Sequence, residues 1–223
     1  MRKLTAILLA AVMSLPLAAA EDAADVWYSG AGSDKRIALT FDDGPHYKYT
    51  AEILDILDEY DIKATFFIVG QLAERYPELI LRELSEGHEL ASHTWSHPHI
   101  RDVSEAGLER ELADTEDFLL NLADYRPTLF RPPEGACGDT VRRVAGAMDY
   151  DVVLWTVDTR DWAHTPTSEI VSGVLTNVKP GAIILCHDFV GGESPTPAAL
   201  RQFIPKLLAD GYEFVTVSEL IEG

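Results

Sequence analysis

Three histidines fall within seven positions of the stretch "ASHTWSHPHI", at His93, His97 and His99. His93 and His97 are four apart, so one helical turn between them would put both imidazoles on one face, close enough to share a metal ion. Extended chain would hold the same pair about 13 Å apart, too far for one ion. Pro98 disfavours a continued turn through His97 and directs the chain away, which separates His99 from the pair. A third donor is available in "TFDDGP", where Asp42 and Asp43 sit side by side at a tight turn. One such carboxylate can hold a metal while the other accepts a proton from water. Two imidazoles and one carboxylate with an open position form the donor set of a hydrolytic zinc site.

More reactive side chains follow: Arg131 in "RPPEG", Asp158 and Asp161 in "DTRDW", and His187 in "LCHD". Each follows or ends a short apolar run rich in β-branched and aromatic residues. From residue 36 onward these runs alternate with amphipathic segments: "RIALTFDD", "KATFFIVG", "HELASH", "TLFRPP", "DVVLWTVD", "AIILCHD" and "EFVTVSEL" read as seven candidate strands. The intervening segments carry apolar residues at helical spacing, as in Ile53, Leu54, Ile56 and Leu57, or Leu108, Leu112, Phe118 and Leu119. Strict alternation of strand and helix predicts an α/β fold with a parallel sheet, open or closed into a barrel. The strands are nearly continuously apolar, as buried parallel strands are. Their reactive residues gather at the C-terminal strand ends, where such folds assemble active sites. His88 precedes the third strand and falls at the wrong end. Trp155 reads as core, and His46 and His164 as loop residues.

The first twenty residues stand apart. Arg2 and Lys3 precede an apolar run too short for a comfortable membrane span, and Ala18-Ala19-Ala20 offers a small-residue cleavage site, so residues 1–20 read as a secretory signal peptide. Residues 21–35 read as a lead-in and 36–223 as one catalytic domain. The net charge of −19 becomes −21 without Arg2 and Lys3, which argues against nucleic acid or anionic membrane as partner. Two cysteines, Cys137 and Cys186, permit one disulfide at most; in strand geometry Cys186 points away from His187.

The motifs "TFDDGP", "SHTWSH", "RPPEG", "DTRDW" and "LCHD", in this order, resemble the five motifs of the polysaccharide deacetylase family, carbohydrate esterase family four. The likeness runs from residue 36 to about 218. It implies a distorted (β/α)7-type barrel in a single domain, and removal of acetyl groups from sugars with one divalent metal, most often Zn2+. By resemblance Asp43, His93 and His97 are the metal triad and Asp42 the general base. Arg131 fixes that base, His187 is the general acid, and Asp161 orients and charges it. Trp162 and Leu185 wall the acetyl pocket.

The sequence departs from the family at Glu134, where an aromatic residue usually follows the two prolines and lends its backbone N–H to the oxyanion. The donor survives the change, but a sugar-stacking wall becomes a carboxylate, which predicts a preference for amine-bearing sugar. The expected protein is a secreted or periplasmic monomer without a membrane span, acting on the N-acetyl groups of a chitin-type oligosaccharide or peptidoglycan. An O-acetyl xylan esterase and an inactive sugar-binding relative are the alternatives. A phosphoesterase is disfavoured, because no phosphate-cradling glycine loop accompanies the histidines.

Overall fold

The computed structural model describes residues 23–32 and 34–223, so the expected signal peptide lies outside the described residues. The strands are β1 (Val26–Trp27), β2 (Arg36–Asp42), β3 (Thr65–Ile68), β4 (Glu89–Ser92), β5 (Leu129–Phe130), β6 (Asp151–Val153), β7 (Val157–Asp158), β8 (Ile183–His187) and β9 (Glu213–Val215). The helices are α1 (Tyr49–Glu59), α2 (Gly70–Arg75), α3 (Pro77–Ser85), α4 (Glu105–Ala123), α5 (Asp139–Ala147), α6 (Thr167–Asn177), α7 (Thr196–Ala209) and α8 (Val217–Glu222). All named strands pair in parallel in one sheet of order β1-β6-β5-β4-β3-β2-β8-β7, with β9 on the first residues of β2.

That order forces curvature. β6 lies near one edge and β7 forms the other, yet only residues 154–156 join them. Four Cα steps reach at most about 14 Å, so the two edges must approach each other. The sheet is therefore a half-barrel whose open side is crossed by chain in place of ladder hydrogen bonds, in agreement with the single-domain barrel expected.

Three segments differ from the sequence reading. "DVVLWTVD" is two strands, because residues 154–156 make that crossing. "EFVTVSEL" changes from β9 to α8 at Thr216, whose hydroxyl and the Glu219 carboxylate form a capping box. Within the lead-in, Val26–Trp27 form β1, which pairs Val26 with Val152, so this part of it belongs to the sheet.

Alternation along the strands decides which residues face the interior. Ile37, Leu39 and Phe41 of β2, with Ile184 and Cys186 of β8, pack outward into the main core with α1, α6 and α7. Their neighbours Ala38 and Ile183 belong to the smaller inner cluster with Phe67, Ala91 and Val153. The same period of two carries Thr40 and Asp42, and Leu185 and His187, into the barrel interior. Against the outer face, Ile53, Leu54, Ile56 and Leu57 of α1 are fully buried, each side chain contributing about 1.5–3 kcal/mol.

Candidate active site

The strand ends converge as the sequence implies. A cavity of about 520 Å³ is lined by Asp42, Asp43, His93, His97, His187 and Leu185, with Glu134, Trp155, Asp158 and Trp162 around it. A larger groove of about 910 Å³ lies among the opposite strand ends, beside Thr128, Leu129 and Asp151, and holds none of these residues.

Asp43, His93 and His97 bring one donor atom each to within 4.8 Å of one another. No helical turn joins the two histidines, which corrects the sequence expectation. Residues 93–97 form a loop in which Thr94 (φ 73°) and His97 (φ 52°) take the left-handed conformation and curl the chain back. The imidazole centroids are 5.1 Å apart. Asp43 is left-handed too (φ 74°), which turns its carboxylate toward the pair.

The donor chemistry fits a divalent cation. His93 Nδ1 lies 2.7 Å from the Arg131 carbonyl, which can only accept, so Nδ1 donates and Nε2 of the neutral ring presents a lone pair. Nε2 of His93 and of His97 stand 3.3 and 3.2 Å from Asp43 Oδ1. That oxygen is buried and has no proton donor of its own. Lone pairs facing a carboxylate need a positive charge between them. Burial works against ionising Asp43, but contact with His93 and His97 in their protonated forms outweighs it and holds the carboxyl far below its usual range, the role a bound cation would take over.

Asp42 sits at 3% exposure beside this triad, its Oδ2 3.9 Å from His93 Nε2. Its Oδ1 accepts from Arg131 Nη1 at 2.6 Å. Arg131 is wholly buried and satisfies itself at the sheet seam: Nη1 also reaches Thr40 Oγ1, while Nε and Nη2 donate to the carbonyls of Val153 (3.1 Å) and Leu154 (3.2 Å). The break between β6 and β7 frees those carbonyls. The guanidinium also lies 3.9 Å from the centroid of the Phe67 ring.

On the other wall, Asp161 is fully buried and takes four donors. Oδ1 accepts from His187 Nδ1 (2.7 Å) and from the Trp162 N–H (3.0 Å); Oδ2 accepts from the His187 N–H (2.8 Å) and the Thr196 hydroxyl (2.5 Å). Burial would lower the pKa of His187, but the Asp161 contact and charge raise it to about 9, so the ring is an imidazolium at neutral pH. Asp158 Oδ1 accepts from the Arg160 N–H and shapes the loop.

His99 stands apart from the triad, as the sequence reading has it, and its Nδ1 lies 2.7 Å from Glu134 Oε1 at the exposed rim. Glu134 itself is left-handed (φ 59°). Several other residues behave differently from the sequence reading. Trp155 is half-buried and lines the cavity as well as the core. His46 Nδ1 accepts from the N–H groups of Lys48 and Tyr49 and so caps the start of α1. His88 is buried, its pKa lowered to about 4 by burial and nearby cations, and it accepts from the Ala64 N–H. Cys137 and Cys186 are both free, with Cys186 in the outer core, so the permitted disulfide does not form.

Sequence reasoning missed Asp188 and Glu83. Asp188, after His187, is buried; its N–H donates to the Asp42 carbonyl and its carboxylate takes the Thr50 hydroxyl. Burial raises its pKa to about 7. Glu83 of α3 is fully buried with both carboxylate oxygens unpartnered, and burial with the charge of Asp188 pushes its pKa well up. A carboxylate in an otherwise helical pattern carried no signal of burial.

Known proteins resemble this chain in sequence and fold. The polysaccharide deacetylase profile matches residues 29–153. A peptidoglycan-N-acetylglucosamine deacetylase of Bacillus cereus is 42% identical over 85% of this chain and 89% of its own. A chitooligosaccharide deacetylase of Sinorhizobium fredii is 35% identical over 82% of this chain and 90% of its own. The crystal structure of a peptidoglycan N-acetylglucosamine deacetylase in complex with 4-naphthalen-1-yl-N-oxidanyl-benzamide superposes with a TM-score of 0.85 at 37% identity, over 88% of this chain and 92% of that one.

Proposed function

The chain belongs to the polysaccharide deacetylase family, and from that premise we propose that it is a secreted, zinc-dependent deacetylase that hydrolyses the N-acetyl groups of a GlcNAc-containing glycan. The observation that carries the reading is the convergence of a complete base pair and a complete acid pair on one metal-fitting triad: Arg131–Asp42, Asp161–His187 and Asp43/His93/His97.

Asp43, His93 and His97 would hold the cation. When bound, it supplies Lewis-acid polarisation of the acetyl carbonyl and acidifies water. Asp42 accepts the proton of the attacking water through Oδ2, because Arg131 Nη1 occupies Oδ1. By the family resemblance, the Glu134 backbone N–H would donate to the developing oxyanion. His187 Nε2 delivers a proton to the departing amine, while Asp161 holds Nδ1 and so fixes ring and charge. Leu185 and Trp162 exclude water around the acetyl methyl.

The named relatives support both chitin-type oligosaccharide and peptidoglycan as substrate class. Acetate release from each, by protein stripped with a chelator and then restored with zinc, tests the proposal. Zinc-restored release from either glycan supports it. No release from either, with one zinc bound per chain, leaves the sugar-binding alternative; release from acetylated xylan alone would make the chain an O-acetyl esterase.

A further inference from the structure

The catalytic cavity does not end at its metal triad. On the far side of Asp43 and His97, which line both spaces, a second cavity of about 330 Å³ opens between Val69, Gln71, Leu72, Ser96 and Phe189. Trp155, Trp162, Leu185 and His187 lie on the first side only. A polymer bound with one acetylated unit over the triad must continue out of the cleft, and this lobe is the space next to the metal.

Its chemistry is that of a pyranose site: an aromatic face, two aliphatic side chains and a few polar groups. Phe189, two residues beyond His187, leaves 39% of its surface exposed, although it is a large apolar side chain at the mouth of a cleft. Its ring begins a line of aromatic neighbours, with His46 at 5.4 Å, Tyr47 4.5 Å further and Tyr76 6.4 Å beyond Tyr47. Tyr47 is 65% exposed. Exposed apolar area that continues out of a binding cleft marks a recognition surface. Gln71 is exposed at the lobe, and among the described residues its carboxamide has no hydrogen-bond partner, so it is available to a sugar hydroxyl.

We propose that this lobe binds the sugar ring adjacent to the one being deacetylated, with Phe189 as its stacking face and Tyr47 extending it; this rests on the deacetylase reading. The interaction uses the apolar C–H face of the pyranose against the aromatic ring, so it contributes to substrate affinity without touching the reacting atoms. It acts only on substrates long enough to reach it.

The test compares wild type, Phe189→Ala and Phe189→Tyr, all zinc-loaded, on GlcNAc oligomers of increasing length and on p-nitrophenyl acetate, which occupies only the acetyl pocket. Phe189→Ala is expected to raise KM for the tetramer about tenfold with kcat retained and aryl-ester turnover unchanged. Phe189→Tyr is expected to restore wild-type KM. Unchanged tetramer kinetics in Phe189→Ala overturns the lobe as a sugar site. An equal loss on tetramer and aryl ester also overturns it, since Phe189 would then support the metal turn. A wild type that cleaves the ester but releases acetate from no glycan overturns the deacetylase reading and the lobe together.

Discussion

The carboxylate of Asp188 rests against the Cα of Gly44, so close that a Cβ at position 44 would fall 2.0 Å from Asp188 Oδ2. The contact joins the strand end bearing His187 to the turn bearing Asp42 and Asp43. The Asp188 N–H donates to the Asp42 carbonyl at 3.2 Å, and Thr50, which binds the Asp188 carboxylate, accepts from the His46 N–H at 2.7 Å. Gly44→Ala must therefore move either the buried acid or the turn. Metal affinity is expected to fall about 10- to 100-fold, the usual cost of disturbing the groups that orient ligands. Competition with a chromophoric chelator measures it; a variant with wild-type affinity would mean that the turn gives way without moving Asp43.

The Asp161–His187 pair sets a pH dependence. The folded pKa of His187, about 9, lies above its ordinary 6.5, so the pair's stabilisation is fully present below 6.5 and is lost as pH rises through about 9. Activity that needs the imidazolium should fail over the same upper range. Asp161→Asn is expected to lower kcat by about 10²–10⁴ and to move the alkaline limb of kcat/KM toward acid. A pH–rate profile checks this, and an unmoved limb would assign it to another group.

Arg131 is buried among partners that no other side chain satisfies. Replacing it with Met leaves Asp42 buried without its counter-charge, for a loss of about 3–5 kcal/mol. Arg131→Lys should recover little, because one ammonium cannot serve Asp42, Thr40 and two seam carbonyls in the plane of the guanidinium. Urea unfolding of both variants distinguishes this from a simple charge requirement, which lysine would meet.

Replacing Glu83 is expected to act oppositely to replacing Arg131. Its carboxyl pKa is raised well above 4.5 in the folded chain, so the native state loses stability as pH climbs from about that value through the folded pKa. Glu83→Leu removes two unpartnered buried oxygens at similar volume and is expected to stabilise by about 1–3 kcal/mol. The gain should be larger at neutral than at acid pH. Equal gain at both would show that packing, not ionisation, is responsible.

The sequence alone determined the alternation of strand and helix, the end of the sheet that carries chemistry, and, through five ordered motifs, the family and its expected catalytic set. These are local properties. Periodicity reads the face of an element, and a motif records which residue types stand together along the chain. Tertiary structure decided which loops meet. It replaced the expected helical turn at His93–His97 with a left-handed loop, and placed Arg131 in a seam that exists only because β6 lies near one edge of the strand order and β7 forms the other. It also kept the two cysteines apart, tied His99 to Glu134, and set Asp188 against Gly44. Such contacts join residues distant in sequence, and their energies depend on burial and partner geometry, which no spacing along the chain encodes.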